Sequence, residues 1–155
     1  MFKRILIANR GEIACRIMRT CRRLGIETVA VHSSVDAGAR HVVEADFAVP
    51  IGGPGALDSY LRADRIAEAA QASAAQAIHP GYGFLSEKLE LVDACAQLGI
   101  VFIGPQRHAI ESMGSKIESK RMARQAGVDC VPGYDGDDQS TRALSEQAAH
   151  IGYPL

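Results

Sequence analysis

The stretch RILIANRGEIACRIMRTCRRLGIETVAVHS, Arg4–Ser33, decides the fold. After Arg4 its opening RILIAN is apolar and β-branched with no polar alternation, the pattern of a strand covered on both faces. The pattern breaks at Asn9-Arg10-Gly11. Ile13, Ile17 and Leu24, joined by Ala14, Met18 and Cys21, then recur at spacings of three and four, which predicts an amphipathic helix. Gly25 suits the left-handed residue that closes a helix. IETVAVHS, residues 26–33, is a second strand. Two apolar strands joined through one helix by short breaks imply a parallel pair with a right-handed crossover.

Working outward, ADFAVPI (45–51) reads as a third, weaker strand and IGGPG (51–55) as a loop. Asp58 or Ser59 is the expected cap of a helix running to about Ala72, with Leu61, Ile66 and Ala69 facing inward. The alanine-rich run 67–77 suits a closely packed helix leading into a strand. AQAIHP (75–80) is that fourth strand, Ser86 the expected cap of a helix to Leu98 closed by Gly99, and IVFIGP (100–105) a fifth strand. The sum is an α/β domain over residues 1–105, a doubly wound parallel sheet. Residues 106–155 change character. Two short helices are expected, Arg107–Met113 and Lys116–Ala126, broken at Gly114. The turn-rich VPGYDGDDQS follows, then a helix capped by Ser140 or Thr141 and running to His150. The final YPL reads as a strand beginning.

The 155 residues are 47% hydrophobic and 23% charged, with a formal charge of −1. These are values of a soluble globular protein with no overall basic field to recruit nucleic acid or an anionic membrane. No apolar run approaches the ~20 residues needed to span a bilayer. The N-terminal MFKRILIANRGE lacks the long apolar core of a secretory signal, since charge returns at Arg10. A cytoplasmic protein is expected, or the mature form of one imported into an organelle. Cys15, Cys21, Cys95 and Cys130 have no CxxC spacing, so they are read as small core residues rather than disulfides, zinc ligands or nucleophiles.

Three places carry chemistry. In an open α/β sheet ligands bind beyond the carboxyl ends of the strands, and the first such turn is ANRGEIA (8–14). Its single Gly11 and bulky Asn9, Arg10 and Glu12 argue against a dinucleotide, which needs GxGxxG there. Arg10 is an anion contact or a surface or interface charge. The same helix carries Arg16, Arg19, Arg22 and Arg23, a solvated face or a contact surface. HPGYGFLSE (79–87) ends the fourth strand on the ligand face. Gly81 and Gly83 let a ligand or another backbone come close, Tyr82 offers a ring and a hydroxyl, and a lone His79 reads as a packed, hydrogen-bonded residue. MGSKIESK (113–120) sets Lys116 in the first turn of a helix after a glycine, where an ammonium joins backbone N–H groups in meeting a phosphate. It is not a Walker A loop, and a solvated lysine is the plain alternative.

In this order, LIANRGEIACRIMRTCRRLGIETVAVHSSVD, AIHPGYGFLSE, FIGP, MGSK and AGVDCVPGYDG resemble the N-terminal region of biotin carboxylase, the ATP-dependent component of biotin-dependent carboxylases. The resemblance covers essentially the whole chain. It implies a Rossmann-like pre-ATP-grasp domain followed by helices leading into a truncated ATP-grasp domain. It implies ATP, bicarbonate and magnesium (or manganese) as reactants and cofactor, with carboxyl transfer to biotin on a carrier protein or domain, and a carboxyltransferase subunit as a further partner. Residue by residue, Lys116 matches an ATP-contacting lysine, Tyr82 and Gly83 match the loop bordering the biotin–bicarbonate pocket, and Arg19 matches a dimer-contact position of the bacterial enzyme.

The departures bear on these expectations. Lys88 stands where the family reads asparagine after LSE, Ser115 where aspartate is commoner, and Arg23 where the bacterial enzyme is acidic. Two arginines facing one another across that dimer would repel. The family's strand lysine, phosphate lid, metal carboxylates and catalytic arginine all follow GYPL, so no catalytic or metal residue is expected within this chain, and the chain alone is expected to be inactive. Two competing readings are an assembly module that uses the arginine-rich first helix and an independent nucleotide-binding domain. The acyl acceptor is not readable from these residues. A mitochondrial matrix location is the alternative to the cytoplasm.

Overall fold

The computed structural model describes residues 1–153. Five strands, β1 (Arg4–Ile7), β2 (Glu27–Ser33), β3 (Phe47–Gly52), β4 (Ala77–His79) and β5 (Val101–Phe102), form one sheet in the order β3-β2-β1-β4-β5. Every neighbouring pair is parallel. Between the strands lie α1 (Gly11–Arg23), α2 (Arg40–Glu44), α3 (Ala63–Ala72) and α4 (Leu89–Leu98).

The unalternating strands have the expected cause. Leu6, Ala8, Val29, Val31 and Ile78 point to one face and pack with Ile66 and Ala69 of α3 and Leu91 and Cys95 of α4. Ile5 and Ile7 point to the other and meet Ala14, Met18 and Cys21 of α1. Both faces are covered, so the sheet is doubly wound. Gly25 and Gly99 close α1 and α4 with φ of +68° and +66°, the left-handed cap.

Two helix starts differ from expectation, and two short elements are added to it. Asp58 and Ser59 do not start α3: a 3-10 turn spans Ala56–Asp58 and the Ser59 hydroxyl donates to the Gly55 carbonyl at 2.7 Å, so the helix begins only at Ala63. Ser86 is likewise spent on a turn, its N–H donating to the Gly83 carbonyl at 3.0 Å, and α4 begins at Leu89. Lys88 stands at that start in an extended conformation with no capping side-chain bond, and the helix forms nonetheless. A 3-10 turn at Ser34–Asp36 and the five-residue α2 were not anticipated. Of the cysteines, Cys15, Cys21 and Cys95 are buried as expected, but Cys130 is only half-buried.

Internal contacts divide the chain into a unit ending at Arg107 and a second beginning at His108. The second comprises α6 (Lys116–Gln125) and α7 (Thr141–Ile151) with most of α5 (Arg107–Met113). Ser115 and Ser140 cap α6 and α7 by accepting from the N–H of Glu118 and Ala143. Neither helix buries a residue, and Met113, Met122, Val128, Val131 and Leu144 are exposed. Arg121 and Arg124 hold the following loop to α6, Arg121 through the Asp135 carbonyl (2.9 Å) and Asp137 (2.7 Å), Arg124 through the Asp135 carboxylate. The strand expected from YPL falls on residues 154 and 155, outside the described residues.

Candidate functional site

The strand order reverses at β1. The chain steps outward from β1 to β2 and β3, then crosses back to β4 on the other side of β1. The turns leaving β1 and β4 therefore diverge, and a crevice opens between them at the carboxyl edge of the sheet. Asn9 and the loop 79–86 occupy it.

Asn9 is fully buried. Its side-chain Nδ2 donates to the carbonyls of Pro80 (2.8 Å) and Tyr82 (2.9 Å), and its Oδ1 accepts from the Arg10 N–H at 2.9 Å. Carbonyls only accept, so this pattern fixes which end of the amide is nitrogen. Gly81 lies between the two carbonyls with φ +66°, and a Cβ there would stand 2.7 Å from Asn9 Nδ2 and 2.8 Å from Ile13 Cγ2. Glycine is required twice, by conformation and by space. The Gly81 N–H donates to His79 Nδ1 at 3.0 Å. The ring hydrogen of neutral His79 therefore sits on Nε2, and burial holds its pKa below the ordinary histidine value. The histidine is the packed, bonded residue expected.

The far end of the loop is held differently. Phe84 has φ +46°, strained for a side chain of its size. Its ring stacks on Tyr60 with centroids 5.1 Å apart, and Leu85 beside it is buried. The Tyr60 hydroxyl donates to Asp36 Oδ2 at 2.7 Å and accepts from the Ser33 N–H at 3.1 Å. Asp36 also takes the Ser33 hydroxyl and two bonds from Arg10. Arg10, left open by sequence between an anion contact and a surface charge, is committed to this carboxylate. Asp36 ends the 3-10 turn that follows β2, near where a dinucleotide fold turns an acidic group toward a ribose, and here that group is taken up internally. The Arg10 bonds hold the Asp36 carboxyl well below the usual carboxylate range.

The loop is thus clamped at both ends, and what it presents is Tyr82, with 64% of its surface exposed, and Gly83, with open space where a Cβ would be. A groove of about 420 Å³ runs beside Tyr82, lined by Ile5, Ile13, Ile17, Leu24 and His79 with Arg16 and Thr20 at its polar side. On α1, Arg19 is exposed and only 4.0 Å from the equally exposed Glu12, while Arg22 is engaged by the Glu44 carbonyl. Lys116 lies in the second unit, exposed at the first position of α6, and makes no ion pair among the described residues. Its ammonium sits at the positive end of a ten-residue helix, a suitable place for phosphate oxygens. Among the described residues no group of three His, Cys, Asp or Glu is arranged to hold a metal. Sequence reasoning missed Asn9 as the anchor of the Tyr82 loop, and Asp36 and Tyr60 behind Phe84. The one available signal was Asn9 itself, a polar residue ending a fully apolar strand.

A profile of the biotin carboxylase N-terminal domain matches residues 1–110. The chain belongs to the biotin carboxylase family. It is 53% identical over 154 residues to the mitochondrial propionyl-CoA carboxylase alpha chain of Sus scrofa, covering 99% of this chain and 21% of that one. It is 53% identical over 152 residues to the mitochondrial methylcrotonoyl-CoA carboxylase subunit alpha of Dictyostelium discoideum, covering 98% and 22%. Among solved structures, the biotin carboxylase domain dimer of the Hydrogenobacter thermophilus 2-oxoglutarate carboxylase, in complex with MgADP, ADP and bicarbonate, matches with a TM-score of 0.91 and 49% identity, covering 99% of this chain and 34% of that one. The chain spans about a fifth of the length of the curated relatives it matches. No helix of the described residues is long and apolar enough to cross a membrane.

Proposed function

We propose that this chain is the N-terminal part of a biotin carboxylase that uses ATP and bicarbonate to carboxylate biotin on a carrier domain, as a component of an acyl-CoA carboxylase. The observation that carries this reading is the clamped loop at the strand-order reversal presenting Tyr82, in a chain that resembles throughout a domain solved with MgADP and bicarbonate. In this reading Tyr82 is a wall for biotin, and Gly83 keeps the border of the biotin–bicarbonate pocket low enough for ligand to approach the backbone. Lys116 places its charge on the nucleotide phosphates, where positive charge offsets the build-up on transferring oxygens. Magnesium, when bound, neutralises phosphate oxygens. Among the described residues no group of three His, Cys, Asp or Glu is arranged to hold it.

The same reasoning makes residues 108–153 the start of an ATP-grasp domain. Helices α6 and α7 bury nothing and expose Met122 and Leu144, and Met113, Val128 and Val131 beside them are exposed too, so much apolar surface is left uncovered. The 155-residue chain alone is accordingly inactive. Arg19 belongs to a subunit contact, with Arg23 one turn along the same helix changing its charge pattern. A carrier domain and a carboxyltransferase subunit are the remaining partners. The location is the cytoplasm, or the mitochondrial matrix, the two relatives being named as mitochondrial.

The test is ADP release by the natural full-length protein with bicarbonate and free biotin. Turnover that needs both supports the reading, and ATP hydrolysis indifferent to biotin refutes it. The isolated 155 residues should show none.

A further inference from the structure

We propose that Asn9 is the positioning residue of this site: by donating to the carbonyls on either side of Gly81, its buried amide sets the backbone from which Tyr82 projects. The inference rests on reading Tyr82 as a wall of the biotin–bicarbonate pocket.

Tyr82 is largely exposed, so its placement comes from its backbone rather than from packing of its ring. Among the described residues the other bond made by residues 80–82 is local, Gly81 N–H to His79 Nδ1. The stack of Phe84 on Tyr60 fixes the chain two residues further on. The Ala8 N–H holds the His79 carbonyl at 2.9 Å where the loop begins, and beyond that point, among the described residues, Asn9 ties the turn itself to the sheet, across 71 and 73 residues of sequence. Because Asn9 is fully buried, water does not compete for these bonds. The fit is also exclusive. Asn9 Nδ2 fills the space a side chain at position 81 would need, and Oδ1 is occupied by Arg10 N–H, so the amide has one orientation. Aspartate has the same shape but presents an oxygen to the two carbonyls. Protonated, it regains a single donor.

The experiment compares the full-length protein with its Asn9→Asp and Asn9→Ser variants in ADP release, with free biotin as acceptor. Asn9→Asp is expected to raise KM for biotin about tenfold or more with KM for ATP unchanged within about twofold. The defect should shrink as pH falls from 8 to 6 and the new carboxyl takes a proton, and Tyr82→Ala added to Asn9→Asp should cost little more. Asn9→Ser, which keeps one donor, should be intermediate. Hydrogen exchange is read in parallel: amides of residues 80–86 should exchange faster in Asn9→Asp while peptides from β1, β4 and α1 do not change. Equal losses in both KM values with a domain-wide rise in exchange would overturn the proposal, as would an unchanged loop. Should the wild type lack biotin-dependent turnover, the functional reading fails, and the link from Asn9 to biotin with it. The exchange data then still decide whether Asn9 holds the loop.

Discussion

The guanidinium of Arg10 and the carboxylate of Asp36 face each other through two bonds of 2.7 Å, Nε to Oδ2 and Nη2 to Oδ1. They join the turn after β1 to the turn after β2. Since Tyr60 and Ser33 donate to the same carboxylate, the pair also supports the ring on which Phe84 stacks.

Asp36→Asn should therefore cost more than a surface change. Asp36 is only 8% exposed, but the Arg10 side chain is 47% exposed and retains water. The expected loss is about 2–3 kcal/mol, below the range for a fully buried pair, read from urea unfolding at pH 7. The folded carboxyl titrates below its unfolded value. Its contribution is thus complete above about pH 4 and disappears as pH falls through the folded value. The difference between wild type and Asp36→Asn should narrow in strong acid.

His41 supplies a second pH effect in a milder range. It is fully buried, its Nε2 meets the Val31 carbonyl at 3.2 Å, and its Nδ1 has no partner among the described residues. The ring is neutral with its hydrogen on Nε2, and burial pushes its pKa down. His79 is depressed for the same reason. For a lowered histidine pKa, the unfolded chain takes up the proton first. Stability should fall as pH drops below about 6.5, by up to ~1.4 kcal/mol per pH unit per histidine. His41→Asn should flatten that limb by as much as one proton in unfolding titrations between pH 7 and 5.

Two glycines in one loop should respond differently to alanine. Gly81→Ala meets both a left-handed backbone and the side chains of Asn9 and Ile13, and should cost about 2 kcal/mol or more. Gly83→Ala, with φ +71° and nothing within 4 Å, carries only the conformational penalty of about 1 kcal/mol. Urea midpoints of the two variants should fall in that order.

Lys116→Ala should leave unfolding within about 0.5 kcal/mol of wild type, because the side chain is exposed and unpaired among the described residues. In the full-length protein the same change should raise KM for ATP without altering KM for biotin. A stability change larger than that would move Lys116 out of the nucleotide-binding role.

Residues 108–153 should exchange their amide hydrogens faster than residues 4–103 in the 155-residue chain. α6 and α7 bury nothing, whereas β1 and β2 are covered on both faces. Trypsin should accordingly cut at Lys120 or Arg124 before any site in α1.

What the sequence determined by itself was the periodic part of the molecule. Runs such as ILIA and TVAV have no polar alternation, so they imply strands covered on both sides, and the three-and-four spacing from Ile13 to Leu24 implies the helix between them. Gly25 and Gly99 marked helix ends because few other residues adopt that backbone cheaply. The roles given to Tyr82, Gly83, Lys116 and Arg19 come from their resemblance to one family and are proposals. What only the tertiary structure decided were the contacts between distant turns. Asn9 looked like a residue that merely spoiled a dinucleotide motif, and nothing local says that its amide reaches two carbonyls more than 70 positions away. Ser59 and Ser86 had the chemistry of helix caps, but each was claimed by a loop turn first. The strand order places the turns after β1 and β4 side by side, and a buried polar group must satisfy its hydrogen bonds with whatever the fold brings to it.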